Sequence, residues 1–397
     1  MIMVTSPRAP RVGALILFAL LPLMPSQSAP LSAQTPPPKA AKKSAAKDST
    51  KAPKEAKVKA PKDPAAATVA TAKVPKAPGS AFFRDSTLFE VTFTTNLRAL
   101  KRDKGDKAPW HAATLTYADN GAPDGKRVVP VRARTRGIWR LKNCDFPPVR
   151  FNFANKTAKG TAFEDLDEPK LVSYCRGSDT YEQYVLQEFQ LYRIYRLLTP
   201  VSHQVRLLRM AYADSATGKV DVTKYAFLVE DPAQVAKAAG GKILNQQGAG
   251  PEDLEPQAAT LAYVFQYFIG NVDFSFGGLH NAELIAKPDG TNLPIAYDFD
   301  FAGAINAPYA TPDPSLPIKR VRQRLYRGFC LQNALVPGAV AAFVAKKDQI
   351  YALYRDQLGA LLSPKEVKEA LEYFDEFYKA TATPKDIERN LLSDCRK

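Results

Sequence analysis

The sequence predicts an α+β fold of two lobes, a strand-rich N-terminal lobe carrying one long helix and a helix-rich C-terminal lobe. Three observations predict it. Short segments with period-two alternation fill residues 81–231 and then stop. A single long run at helical spacing, residues 181–198, interrupts them. From residue 232 to 397 the apolar spacing is mainly helical, broken by a polar hairpin at 270–303 and a Pro-rich loop at 307–317.

Before the first lobe come two segments that belong to no fold. Arg8 and Arg11 precede an apolar run at 12–24 that is too short to span a bilayer comfortably, and small residues follow at Ser26, Ser28, Ala29 and Ala33. This pattern predicts a secretory leader over residues 1–33. No later segment has the length and apolarity of a membrane span, so an exported chain is expected: periplasmic, cell-surface or secreted, with no stable membrane span once the leader is removed. Residues 34–80 are Ala, Lys and Pro with almost nothing to bury, which predicts a disordered linker. That linker holds eleven lysines against three acidic residues, so most of the chain's net charge of +15 sits outside the lobes. The basic balance is therefore a property of the tail, and a nucleic-acid partner is not expected. Contact of the tail with an anionic cell envelope is one expectation, and a solvated linker the other.

In chain order, strands are expected at 88–94, 113–117 and 128–136, with a Gly- and Asp-containing turn at 119–125. Further strands follow at 147–153 and 170–174. The helix at 181–198 places Tyr184, Val185, Phe189, Tyr192, Tyr195 and Leu198 at helical spacing, with Asp179 or Thr180 able to cap its start. Strands at 204–212 and 225–229 complete the first lobe. An apolar helix at 258–269 leads into the hairpin, and helices around 340–344 and 371–377 close the chain. The basic run 319–324 is expected to be a solvated helix face. Four cysteines in an exported chain suggest two disulfides. Sequence alone does not choose among three pairings, but keeping each loop within one half of the molecule favours Cys144 with Cys175 and Cys330 with Cys395. With no C-x-x-C pair and three scattered histidines, a structural metal cluster is not expected.

The chemistry concentrates in residues 270–303, where Asp273, His280, Asn281, Asp298 and Asp300 stand at the ends of apolar segments. Polar groups in such places are costly unless they pair or bind a cation. On a regular strand Asp298 and Asp300 would share one face, with Phe299 on the other, unless the backbone turns between them. A Mg²⁺ ion is commonly held by one or two carboxylates together with phosphates and water, a need that Asn281 with Asp298 can meet. An aspartate eight residues before such an asparagine is an arrangement that phosphoryl-transfer sites use.

On these residues the chain resembles the spore-coat protein H (CotH) kinase-like family of atypical, often exported, protein-kinase-like proteins. The likeness is carried by G-N-x-D, H-N and Y-D-F-D within 270–303, and more loosely by Arg136-Gly137 with Trp139, where Ile138 replaces the family's Asn. It covers about 128–303. It implies a two-lobed protein-kinase-like fold and phosphoryl transfer from ATP, with Mg²⁺ or Mn²⁺, to a protein or glycan acceptor. Asp273 would orient or deprotonate the acceptor hydroxyl. Asn281 and Asp298 would hold the metal, with Asp300 the alternative ligand. Lys170 or Arg150 would contact nucleotide phosphates, paired by Glu188 or Glu182, and Glu230 would lie near the adenine. No glycine-rich phosphate loop is visible, since Gly121 and Gly125 are isolated. Two other readings compete: a catalytically silent kinase-like surface or binding module, and a hydrolase using Asp273 with Asp298 or Asp300 as an acid/base pair. Lys170 or Arg150 approaching Asp298 in a cleft alongside Glu188 would favour the kinase.

Overall fold

A computed structural model describes residues 80–397 apart from Lys104 and Asp106. The expected leader and, except for Ser80, the expected linker lie outside the described residues. Seven strands form the first architecture: β1 (Phe89–Thr95), β2 (His111–Ala118), β3 (Lys126–Thr135), β4 (Val149–Asn152), β5 (Lys170–Val172), β6 (Val205–Asp214) and β7 (Val220–Val229). They close into a barrel in the order β1-β2-β3-β4-β5-β7-β6. Every pairing is antiparallel except the closing one, where β1 runs parallel to β6 from Phe89 opposite Leu208 to Thr95 opposite Asp214.

This closure corrects the expected two-lobed protein-kinase-like fold. The strand segments were legible, but alternation says only which residues face a core and not which strand lies beside which. The closed seven-stranded barrel, with a small separate sheet and helices in the C-terminal region, replaces the two-lobed design. The barrel interior is filled by alternate residues, among them Phe93, Leu115, Val129, Phe151, Leu171, Met210 and Leu228, all almost fully buried. Burying each such side chain stabilises the fold by roughly 1.5–3 kcal/mol. β6 and β7 are apolar on both faces because their outer residues, Leu207, Phe227 and Val229, pack under the long helix Asp179–Leu198. Ser178 occupies the N-cap position of that helix without a side-chain capping bond, while Asp179 pairs with Lys224 at 2.8 Å.

The second architecture is a three-stranded sheet of β8 (Lys242–Leu244), β9 (Ala282–Ala286) and β10 (Asn292–Ala296), in the order β10-β9-β8. The apolar helix Pro256–Ile269 lies against it and against the C-terminal helices Val336–Ala352 and Pro364–Ala380, with Phe268 stacked on Phe374 at 4.5 Å. Gly270 ends that helix in the left-handed conformation, at φ 67°. A side chain there would also overlap the Tyr373 hydroxyl. The amide of Gly303 donates to the carbonyl of Gly270 at 3.0 Å, so the two ends of the 270–303 stretch meet on Tyr373. The basic run 319–324 is not a helix face but a turn. Val321 is buried, and Arg322 and Arg324 stack on the Tyr373 ring at 4.5 and 3.6 Å. The cysteines pair as Cys144–Cys175 and Cys330–Cys395, with S–S distances of 2.08 and 1.97 Å. Among the described residues, no helix is long and apolar enough to cross a membrane.

Candidate active site

The end of the apolar helix sets the first half of the site. Past Gly270 the Asn271 side chain turns back to Gln266 at 3.0 Å and accepts from the amide of Asp273 at 3.0 Å. This fixes the backbone under Asp273. The Asp273 carboxylate lies 2.8 Å from His280 Nε2 and accepts from Asn281 Nδ2 at 3.0 Å, while its side chain remains 37% exposed. Asn281 Nδ2 also donates to the Asp273 carbonyl at 2.8 Å. With the amide nitrogen so engaged, Asn281 Oδ1 has no partner among the described residues.

The second half starts where β10 ends. Tyr297 donates its amide to the Asn281 carbonyl at 3.1 Å. Asp298 is then left-handed, at φ 61°, and its amide donates to the Tyr192 hydroxyl on the long helix at 2.8 Å. The backbone therefore turns at Asp298, and the face-sharing expected of a regular strand does not apply to Asp298 and Asp300. Phe299 drives into the core against Tyr192 at 4.6 Å. Leu279, Asn281, Asp298 and Asn306 account for four of the five non-glycine residues at positive φ among those described. Backbone strain of this kind, of order 1–3 kcal/mol per residue, persists only where the surroundings enforce it, and it clusters at functional sites.

Around this turn a group of charges gathers. Asp300 is 5% exposed and Glu188, on the long helix, 1% exposed. One carboxylate oxygen of each is buried without a hydrogen-bond partner. Burial first, then the neighbouring Asp300 and Asp298, raises the Glu188 carboxyl well above its usual range. Burial and Asp298 push Asp300 up to about 7, with Arg140 pulling the other way. Two arginines complete the cluster. Burial draws Arg136 below its ordinary value while Asp298 opposes it. For Arg140 burial is outweighed by Asp300, Tyr309, Glu188 and Asp298, so the cation is favoured. Neither arginine forms an ion pair with a carboxylate among the described residues, and the Nε of each is buried without a partner. Trp139, between them in sequence, packs against Phe301 at 5.5 Å and Tyr309 at 5.1 Å.

Other residues that the sequence singles out lie elsewhere or are already engaged. Lys170 Nζ pairs with Glu283 of β9 at 2.9 Å and sits 3.8 Å over the Tyr297 ring, rather than meeting Glu188 or Glu182. The second oxygen of Glu283 faces His203 at 3.2 Å. Burial opposes the charge on Glu283, but Lys170 and His203 together outweigh it and hold the carboxyl at about 2. Arg150 pairs with Glu168 at 3.4 Å, and Glu182 with Arg209 at 2.6 Å. Glu230 accepts from the Gln204 backbone at 3.1 Å and side chain at 3.3 Å, so both of its oxygens are used. The structure therefore brings Asp273 to Asn281, and Glu188 to Asp298 and Asp300. It leaves Lys170, Arg150 and Glu230 in pairs of their own.

Beside Asp273 opens a cleft of about 250 Å³, lined by His280, Phe301, Asp313 and Arg327 among others. An apolar pocket of about 220 Å³ lies apart from it, between Phe189, Leu207 and Leu358. Among the described residues no three His, Cys, Asp or Glu side chains converge closely enough to hold a metal unaided. The donor types still fit Mg²⁺ in kind, since Asp300 keeps an unpartnered oxygen next to Asp298, and this ion needs few protein ligands when phosphates supply the rest. No protein-family model and no curated protein matches the chain. The sequence reading missed Arg140, Tyr309, Glu283 and His203 as members of these clusters. The signal for Arg140 was present in R-G-I-W-R, where two arginines flank a tryptophan shortly before a cysteine.

Proposed function

We propose that the chain transfers a phosphoryl group from ATP, with Mg²⁺ or Mn²⁺, to a hydroxyl of a protein or glycan in an exported compartment. The observation that carries this reading is that the buried carboxylates of Asp300 and Glu188 keep unpartnered oxygens in a cluster with Asp298 and two arginines. A folded chain keeps such groups only for a strong reason, and a cation with phosphates would satisfy all of them. The likeness of residues 270–303 to the CotH kinase-like family supports the same chemistry. The reading stands on the site and not on a protein-kinase fold, which the barrel replaces. Export is part of the proposal, supported by the leader-like sequence and by two disulfides of a kind that persists in oxidising compartments.

In this reading Asp273 orients the acceptor hydroxyl and receives its proton, its carboxylate fixed by His280 and Asn281 on the floor of the 250 Å³ cleft. Asp298, Asp300 and Asn281 Oδ1 would hold the cation, whose charge would stabilise the anionic transition state. One observation favours a binding module without turnover: Lys170 is fully engaged by Glu283 and Tyr297. Incubating the full chain with labelled ATP, Mg²⁺ and a mixed protein and glycan acceptor pool decides between them. Transfer should fall about a hundredfold to a thousandfold in Asp298→Ala, the size of effect expected when a charge-stabilising group is lost. ATP binding without transfer in the wild type would select the silent module, and no ATP binding would remove the phosphotransferase.

A further inference from the structure

We infer that Arg136 and Arg140 form an oligophosphate clamp, the anion-binding half of the site, doing the work first expected of Lys170 or Arg150. The inference deepens the phosphoryl-transfer reading and rests on it for the nature of the anion. Both guanidiniums come from the short segment that leaves β3. Arg136 follows the last residue of that strand and donates its amide to the Pro148 carbonyl at 3.0 Å. Gly137, at φ 82°, turns the chain, and Arg140 lies in the short helix Trp139–Asn143.

Three features hold this segment in place. Arg140 donates one guanidinium nitrogen to the Ser173 carbonyl just past β5. The Cys144–Cys175 disulfide ties the end of the short helix to the same stretch. Trp139 rests on Phe301, next to Asp300, and on Tyr309. The arginines are thus fixed beside the carboxylates yet form no ion pair with them among the described residues.

That gap is the informative feature. Two cations and three carboxylates in a buried setting would be expected to close on one another, because unpaired buried charge is unfavourable. Instead Nε of Arg136, Nε of Arg140, Oε1 of Glu188 and Oδ2 of Asp300 are all buried and unpartnered. A ligand that offers anionic oxygens to the arginines and a bridging divalent cation to the carboxylates would satisfy both sets. Planar guanidiniums suit the forked geometry of phosphate oxygens. A linear oligophosphate carrying Mg²⁺ has that composition, and a nucleoside triphosphate is one source of it. Lys170 does not compete for this role, since Glu283 and Tyr297 occupy it.

The probe is inorganic tripolyphosphate with excess Mg²⁺, titrated calorimetrically into the full chain, with ATP as a parallel arm. Arg136→Gln and Arg140→Gln should each weaken tripolyphosphate binding at least tenfold, Arg140→Lys by less, and the double Gln variant should abolish it. If these variants fold poorly, phenylglyoxal modification of the unaltered protein, mapped by peptide mass, replaces them. The peptide holding Arg136 and Arg140 should then be protected by Mg²⁺-tripolyphosphate. Wild-type protein that binds no tripolyphosphate, equal binding by the double variant, or absence of protection would each overturn the clamp. Arginine-dependent tripolyphosphate binding without transfer from ATP would sink the phosphotransferase and keep the clamp. Unchanged ATP turnover and KM in the double variant would do the reverse.

Discussion

Two charge clusters adjoin Tyr297, and they are built on opposite principles. In the first, Lys170, Glu283 and His203 join β5, β9 and the start of β6. The lysine hydrogen-bonds one oxygen of the single carboxylate at 2.9 Å, and the imidazole faces the other at 3.2 Å without a hydrogen bond. His203 Nδ1 reaches the Glu230 carbonyl at 2.9 Å, and Lys170 lies over Tyr297. In the second, Asp298, Asp300, Glu188, Arg136 and Arg140 come together without a single ion pair among them. The clusters differ in charge pairing: the carboxylate of the first faces two partners, and those of the second have none within ion-pair distance. The protein itself matches the charges of the first cluster, which fastens the barrel to the second sheet. The second is left for something else to finish. The difference teaches that a buried charge marks a functional site through what it lacks more than through how deeply it sits.

The sharpest way to break this comparison is to remove the centre of the closed cluster. Glu283→Ala strands Lys170 in the interior and should lower unfolding free energy by about 3–5 kcal/mol in urea titration. A loss under about 1 kcal/mol would mean that the triad does not fasten the fold. Next in size, replacing Cys144 and Cys175 by serine should destabilise by about 3 kcal/mol, as loop closure over this separation implies. The same change should weaken tripolyphosphate binding, whereas serines at Cys330 and Cys395 should leave that binding intact. Equal weakening by both pairs would remove the link between the first disulfide and the open cluster.

Smallest, and opposite in sign, Asp300→Asn should stabilise the ligand-free protein by about 1–3 kcal/mol at pH 8, because it removes an unpaired buried charge. The pH dependence separates the two clusters further. Asp300 titrates near 7 in the folded chain against 3.8 unfolded, so the native state holds the extra proton between those values. Its contribution therefore falls as pH rises from about 4 to about 7 and is flat above. Glu283, at about 2 folded against 4.5 unfolded, contributes stability that is present above about 4.5 and is lost as pH falls toward 2. Urea midpoints of wild type and Asp300→Asn should accordingly lie closer at pH 5 than at pH 8. A gap independent of pH would show that Asp300 is not held protonated.

What could be read from the sequence follows the same division. Alternation located the barrel strands because each has one face in the interior, as Val91 and Phe93 do in β1. The polar stretch 270–303 stood out because acidic residues at the ends of apolar runs are rare without cause. The favoured cysteine pairing matches the structure, since each loop stays local. What escaped were partnerships across distance. β1 finds β6 more than a hundred positions later, and Lys170 finds Glu283 over a separation of 113. Local pattern records burial and charge, but Lys170 carries no trace of which carboxylate will meet it. The left-handed turn at Asp298 escaped too, because an aspartate between two aromatics gives no sign of positive φ.

The packing of Trp139 on Phe301 and Tyr309 gives the molecule an optical property. The chain has two tryptophans, and the other, Trp110, lies on the barrel under Arg134 at 4.4 Å. An indole responds to charges moving near it, and Trp139 packs on Phe301, the neighbour of Asp300, so ligand binding at the open cluster should shift its emission. Intrinsic fluorescence should thus report on the open cluster without an attached dye.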